Sequence, residues 1–343
     1  MKLLNAFTPV YISMNPYSAQ IAQSTILVTG GAGFIGSHIV HRLVADGAKR
    51  VVVLDNLSNG FIKNIESLLS LPQVQFIEGD VRNLNICMDA AKGVDLICHQ
   101  AALGSVPRSL SDPVTTNDVN IGGFLNMILA AKEHAVSRFV YAASSSTYGD
   151  SMELPKREDN IGKPLSPYAV TKYVNELYAH VFGLNYGVKH IGLRYFNVFG
   201  PGQDPKGAYA AVIPLFIQAV LDNQSPVVNG DGEQTRDFTY IENVVEANMH
   251  ALFTSNEAAL NTVYNIAVGQ QTSINELVTA ILTQESKDIK PVYRDSRSGD
   301  VRNSLADISK AKNLLGYNPK IDFEQGIART YSWFKANQEF ISR

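Results

Sequence analysis

Short, nearly continuous runs of apolar and largely β-branched residues recur at 26–29, 51–54, 74–78, 95–98, 138–142 and 189–193. A strand with one wet face alternates apolar and polar residues. Continuous runs therefore predict strands covered on both faces, as in a parallel sheet. Between them, the stretches near 34–47, 61–70, 83–92, 114–134 and 167–186 have helical character. Strand and helix in alternation over this length predict an α/β, Rossmann-like, doubly wound parallel sheet.

After about residue 195 the rhythm breaks. Gly, Pro, Asn and Asp concentrate in Gly200-Pro201-Gly202 and Asn229-Gly230-Asp231-Gly232. A smaller mixed α/β domain laid over the sheet's C-terminal edge is expected there. The predicted organisation is an N-terminal extension over 1–22, a dinucleotide-binding domain over 23–195 and a substrate domain over 196–343, some segments of which return to the first. A chain of 343 residues exceeds one small core. The formal net charge of -3 and the lack of a Lys/Arg run argue against nucleic acid as a partner. No stretch has the apolar length of a membrane helix, and residues 1–22 lack the apolar core of a signal peptide. A cytoplasmic protein without a membrane partner is expected. Cys87 and Cys98 are too few for a disulfide framework, and Cys98 in Asp95-Leu-Ile-Cys-His99 reads as a buried reduced thiol.

Thr29-Gly-Gly-Ala-Gly-Phe-Ile-Gly36 follows the first strand and opens the first helix, spacing Gly30, Gly33 and Gly36 three apart. Glycine permits the tight turn and lets backbone approach a pyrophosphate, whose charge sits at the helix N-terminus. An isolated glycine pattern is satisfied by any tight turn. Here the strand before it, the helix after it and a downstream acid agree. Asp55 ends the second strand, near the ~20-residue offset of a carboxylate that binds the adenosine ribose. An acid there repels a 2′-phosphate, which favours NAD over NADP. Asp80-Val81 closes the third strand, where it could meet an adenine edge or cap a helix. Ala101-Ala102 follow the fourth, and their small side chains would let backbone come close to the cofactor.

Tyr168 and Lys172 form Tyr-x-x-x-Lys, one helical turn apart on one face. Ser166 and Pro167 mark the helix start. An ammonium beside a phenol favours phenolate and is expected to lower its pKa toward neutrality, so that the phenol can serve as a general base. The spacing alone occurs on many surface helices. Its weight comes from Ser144-Ser145-Ser146-Thr147-Tyr148-Gly149 at the end of the fifth strand, because ligands of open parallel sheets bind outside the strands' carboxyl ends.

In this order, the glycine turn, the Ser-rich segment and Tyr-x-x-x-Lys resemble the extended short-chain dehydrogenases/reductases over about residues 24–335. The stretches HQAALGSVPRS at 99–109, YAASSSTYGD at 141–150, GKPLSPYAVTKYVNELYA at 162–179, LRYFNVFGPGQDP at 193–205 and GDVRNSLADISKAKNLLGY at 299–317 narrow the resemblance. They are similar to bacterial UDP-N-acetylglucosamine 4-epimerases, which also serve uronic-acid forms in surface-polysaccharide pathways. The resemblance implies catalytic roles for Ser144, Tyr168 and Lys172. It implies NAD contacts from Gly30, Gly33, Phe34, Ile35, Gly36, Asp55, Asn56, Asp80, Val81, Ala101, Ala102, Asn120, Tyr195 and Val198, besides Tyr168 and Lys172. It implies nucleotide-sugar contacts from Gly104, Ser105, Ser144, Ser145, Ser146, Asn197, Ala211, Val212, Val227, Asn229, Arg236, Arg297, Asp300 and Ser304. No metal ligand is assigned.

The activity implied is 4-epimerisation of a UDP-N-acetylhexosamine or its uronate. Tyr168 takes the O4 proton while C4 gives hydride to bound NAD, the 4-keto sugar turns over, and hydride returns to its opposite face. A UDP-glucose 4-epimerase, a UDP-uronate decarboxylase and a catalytically silent NAD-sensing scaffold are the alternatives. Related 4,6-dehydratases carry Asp-Glu where this chain has Ser145 and Ser146, which argues against dehydration. Epimerases confined to glucose and galactose forms carry tyrosine at the position of Ser304. Small Ser304, Gly104 and Ala211 then imply room for a 2-N-acetyl group. Apolar residues on several faces of 114–134 (Phe124, Leu125, Met127, Ile128) and 167–186 (Val174, Leu177, Val181), together with the resemblance, imply a homodimer built on an intermolecular four-helix bundle.

Overall fold

Continuous apolar runs become strands, most of them buried along most of their length. In the computed structural model, which describes residues 16–206, 210–285, 287–295 and 302–338, they are β1 (Thr25–Thr29), β2 (Arg50–Asp55), β3 (Val74–Glu78), β4 (Leu96–His99), β5 (Arg138–Ser144) and β6 (His190–Tyr195). Every residue of β1, β4 and β6 is buried. A seventh strand, β7 (Thr262–Ile266), comes from the second half of the chain and pairs in parallel with β6. The sheet order is β7-β6-β5-β4-β1-β2-β3, all parallel. The strand order reverses beside β1, which leaves a crevice between the carboxyl ends of β1 and β4.

Helices cover both faces. On one lie α1 (Phe34–Ala45) and, further along the chain, Ile241–Phe253, which packs on α1 and on β4 to β6. On the other lie α2 (Leu84–Ala91), α3 (Gly123–Glu133) and α4 (Pro167–Tyr186). Each face has its own apolar core. The start of α4 is as the sequence predicts: Ser166 Oγ accepts the Ala169 N–H at 3.1 Å, Pro167 occupies the first turn, and Gly187 closes the helix in a left-handed conformation.

Two expected helices differ. Residues 61–70 form two short 3₁₀ turns, Ile62–Asn64 and Glu66–Leu68. The buried Asn64 amide donates to the Ala32 carbonyl at 2.8 Å, and Phe61 N–H donates to the same oxygen at 3.0 Å. This anchoring to the glycine turn overrides helical propensity. The 114–134 segment is helical, but a wide π turn at Asp118–Gly122 interrupts it. There Asn120 turns inward and holds the loop at Leu103, accepting from its N–H at 2.7 Å. Among the described residues no helix is long and apolar enough to cross a membrane.

In the second half, short ladders pair Val198–Phe199 with Thr239–Tyr240, Thr235–Arg236 with Thr272–Ser273, and Val227–Asn229 with Val292–Arg294. The fully buried Asp237 ties three of its segments together. Its carboxylate accepts the N–H groups of Val268 at 3.0 Å, Gly269 at 3.1 Å and Ala306 at 3.2 Å. Burial pushes this carboxyl up to about 7 against the pull of those donors. Asp237→Asn would turn an amide N–H₂ toward backbone donors. At pH 8 it should lower unfolding stability by about 2–3 kcal/mol, read as a reduced urea midpoint at unchanged slope. An unchanged midpoint would show that the clamp carries no stability.

Candidate functional site

The glycine turn shows why each glycine is required. Gly30 has φ of +66°, and a Cβ there would lie 2.7 Å from the Ala101 nitrogen. A Cβ on Gly36 would lie 2.1 Å from the Gly30 carbonyl oxygen. At Gly33 the nearest atom would be that same oxygen at 3.1 Å, and otherwise the Cβ would occupy open space at the mouth of α1. No side chain caps α1, so the first-turn N–H groups face this space. A pyrophosphate fits such a cradle, being small enough to enter and charged to suit the helix end.

Asp55 stands at the rim of the same cradle. Its carboxylate accepts Ala32 N–H at 2.9 Å and Leu57 N–H at 2.8 Å. Burial raises its pKa, opposed by these backbone donors and that of Gly33. It therefore both supports the turn and presents an acid to whatever lies beyond. Asp80 has another role in this structure. Arg82 grips it with a 2.7 Å ion pair, Asn56 donates to it at 2.8 Å, and together they hold its carboxyl down to about 2.

One cavity of ≈ 580 Å³ runs from this turn across the β1/β4 crevice to the end of β5. Its size suits a cofactor cleft. Of the residues named from sequence, Gly30, Gly33, Phe34, Ile35, Gly36, Asp55, Asn56, Val81, Ala101, Ala102, Gly104, Ser105, Ser144, Ser145, Ser146, Tyr168, Lys172, Tyr195, Asn197 and Val198 line it. Asp80, Asn120, Ala211, Val212, Val227, Asn229, Arg236 and Ser304 do not. Asn120 is instead engaged with Leu103 and Thr171. The others of this group beyond residue 200 sit in the second half, where Arg236 donates to the Thr235 carbonyl at 2.8 Å. Arg297 and Asp300 lie outside the described residues.

At the far end, Ser144 closes β5. Its Oγ accepts Ser146 N–H at 3.1 Å and lies 3.1 Å from Ser146 Oγ, and it favours the ionised form of the neighbouring Tyr168 phenol. Lys172, one turn along α4, is buried, and its Nζ donates to the Ala142 carbonyl at 2.8 Å. Burial raises the Tyr168 pKa, with Ser144 alone opposing it, and burial pushes Lys172 down to about 8. The Lys172 ammonium is aimed at a backbone carbonyl.

Tyr195 and Asn197 are where sequence reasoning places them, whereas the supporting Gln100 and Asn248 were missed. The Tyr195 ring lines the cavity, while its hydroxyl lies 3.1 Å from Gln100 Oε1 and 2.9 Å from Asn248 Nδ2. Asn248 is a fully buried amide on the apolar helix Ile241–Phe253, and that incongruity was the available signal. Asn197 lines the cavity with φ of +33°, a conformation that non-glycine residues hold at a cost and that clusters at functional sites.

Comparison with known proteins agrees with this geometry. Residues 26–267 match the model of the NAD dependent epimerase/dehydratase family. A putative UDP-glucose 4-epimerase of Methanocaldococcus jannaschii is 40% identical over 91% of this chain and 99% of its own. The solved UDP-N-acetylglucosamine 4-epimerase of Methanobrevibacter ruminantium, in complex with UDP-N-acetylmuramic acid, is 39% identical. Its TM-score is 0.87, covering 92% of this chain and 99% of that one. The UDP-glucose 4-epimerase of Thermotoga maritima, solved with UDP-glucose, is 36% identical with a TM-score of 0.86 at the same coverage.

Asp55 makes the cofactor preference testable. The wild type should bind NAD more tightly than NADP, and Asp55→Ala should narrow the gap by about tenfold, read by titration calorimetry with each dinucleotide. A wild type that prefers NADP would overturn the ribose assignment.

Proposed function

The chain belongs to the NAD dependent epimerase/dehydratase family, and we propose that it interconverts C4 epimers of a UDP-N-acetylhexosamine. The observation that carries this reading is the shared cavity. It joins the cradle for NAD, the family's cofactor, to a serine, a phenol and an ammonium at the end of β5. Bound at the cradle, NAD would supply reversible two-electron chemistry at the sugar's C4. The chain's own groups handle the proton. Ser144 Oγ orients the O4 hydroxyl, Tyr168 Oη takes its proton, and Lys172 holds the positive charge that stabilises the phenolate. Tyr168 returns the proton once the transient 4-keto sugar has presented its other face.

Two features favour epimerisation of a neutral sugar. Among the described residues that line the cavity, the single carboxylate is Asp55, at the opposite end from Tyr168. Water elimination needs an acid and a base beside the sugar, and Ser145 and Ser146 supply neither. The single lining cation among them is Lys172, whose Nζ is engaged with Ala142, so a 6-carboxylate would meet no free counter-charge there. The choice of an acetylated sugar rests on the family resemblance at Ser304, a position outside the lining of this cavity.

The subunits are proposed to pair through α4. Phe124, Met127 and Ile128, expected at this interface, are instead fully buried in the subunit's own core, with Leu125 packed against it. The apolar surface left over is Val170, Leu177, Val181 and Leu184 on α4, with Leu110 and Val114 on helices packed beside it. Such a stripe marks an interaction face, and two copies would form a four-helix bundle. Light scattering at micromolar protein should give twice the chain mass, and a monomer mass would defeat the pairing.

Tyr168→Phe should cut turnover by about 10²–10⁴-fold while NAD binding and melting temperature hold. Wild-type rates in that variant would sink the acid–base assignment. Purified enzyme should interconvert UDP-N-acetylglucosamine and UDP-N-acetylgalactosamine. Ser304→Tyr should lower kcat/KM for the acetylated sugar roughly ten- to a hundredfold, the effect of about 1–3 kcal/mol of overpacking, and spare UDP-glucose. Equal losses for both sugars would mean that residue 304 does not select the substrate.

A further inference from the structure

The helix that carries Tyr168 and Lys172 places a third ionisable residue on the same stripe, since residues 168, 172 and 176 are each four apart. Glu176 is buried and held at both oxygens by Arg194 of β6. Nε donates to Oε1 at 2.8 Å, and Nη2 donates to Oε2 at 2.7 Å. The two side chains are 8% and 3% exposed. The remaining face of the guanidinium is also occupied. Nη1 donates to the Glu158 carbonyl at 2.9 Å, and the group lies over the Tyr148 ring at 4.9 Å. Arg194 pairs in register with Ala143, between the carbonyl that anchors Lys172 and the reactive Ser144.

A buried ion pair is weak evidence for stability, because apolar residues of similar volume often serve as well. This pair has a second consequence. Lys172 is buried, and burial disfavours its charged form. The opposing influence is the negative charge of Glu176 one turn away. The other ionisable neighbours give no such help. His99, at the end of β4, is pushed down to about 3 by burial and by Lys172 itself, so it is neutral. Tyr141 of β5 faces Glu176, and its phenol is raised well above the usual value by burial, with Glu176 adding to it.

We propose that Glu176, locked in place by Arg194, is a positioning residue that keeps Lys172 charged at working pH. Glu176 does not line the cavity and acts through Lys172. This rests on the acid–base roles of Tyr168 and Lys172 given above. The sign follows from the charges. Replacing Glu176 by glutamine removes the stabilising anion and leaves the Arg194 cation unopposed, so Lys172 loses its proton at lower pH. The phenolate then loses its counter-charge earlier as pH rises.

The test is the pH profile of kcat/KM in NAD-loaded enzyme, with UDP-N-acetylglucosamine and UDP-glucose as probes. Glu176→Gln should move the alkaline limb down by about 1 pH unit. The rate should stay within about twofold of wild type at pH 6 and fall about tenfold at pH 8. The double variant Glu176→Gln with Arg194→Met leaves no unpaired buried charge and should fold if the single variant does not. Its limb should move in the same direction but less far. Glu176→Asp, which keeps the charge, should restore the wild-type limb. A limb that stays at the wild-type position in the folded variants, or a loss equal at every pH, would overturn the proposal. Tyr168→Phe, run in parallel, separates the two readings. Activity in that variant defeats the acid–base assignment itself, whereas an inactive Tyr168→Phe with an unmoved Glu176→Gln limb defeats only the role of Glu176.

Discussion

The close approach of two stretches of backbone governs this architecture. At the carboxyl ends of β1 and β4 the chain at Gly30 comes so near Ala101 that a single added carbon would sit 2.7 Å from its nitrogen. The contact is possible because the strand order reverses beside β1, so the connections leaving β1 and β4 pass to opposite faces of the sheet. It sets the floor of the cavity. It also aims the open end of α1 into the cavity and brings the β5 terminus, with Ser144, within the same space. Widening that contact would separate the cradle from the proton-handling groups, although neither set touches the other.

How much of this was legible in the sequence depended on whether a signal was local. Strands buried on both faces must be continuously apolar, so six of the seven could be read directly. The seventh, Thr262-Val-Tyr-Asn-Ile266, carries a fully buried Asn265 in its middle, which breaks the run. That amide is satisfied by distant partners, the Tyr148 hydroxyl at 2.6 Å, the Lys156 carbonyl at 2.9 Å and the Asp307 carbonyl at 3.0 Å. Glycines, the acid ending β2 and the Tyr-x-x-x-Lys spacing are likewise local chemistry, and all line one cavity. The Tyr195–Gln100–Asn248 and Glu176–Arg194 contacts join residues far apart in the chain, and nothing in their immediate neighbourhood announces a partner. The 61–70 turns were misread for a related reason, since Asn64 reports on Ala32 and not on its own neighbours.

The buried polar groups near the cavity share one logic. Each unpaired donor or acceptor in an apolar interior is costly, so a network must be nearly complete or be replaced by hydrocarbon. Here the bonds that are made restrict the orientation of the side chains that line the cavity. The Tyr195 ring faces the cavity because its hydroxyl is committed behind it. Asn197 keeps its uncommon backbone geometry while its amide donates to the Asp237 carbonyl at 3.3 Å and its own carbonyl accepts from Thr239. Asp237 in turn fixes the segments around 268 and 306. Orientation is thus carried by hydrogen bonds to partners such as Asn248 and the Asp237 carbonyl that lie outside the cavity lining.

Burial at the reacting end works in two directions. It disfavours phenolate on Tyr168 and ammonium on Lys172 when either stands alone, as their opposite shifts show. Formed together, the two charges compensate each other in a medium where their attraction is stronger than in water. Cations gathered around the phenol lower its pKa and so make its ionised form available at working pH. In the reaction proposed here the same phenol must take a proton and give it back within one residence of the sugar. A strongly acidic phenol would give the proton back readily but take it poorly, and a weakly acidic one the reverse. Burial, which raises the Tyr168 pKa, and any positive charge held beside the phenol, which lowers it, set that balance between them.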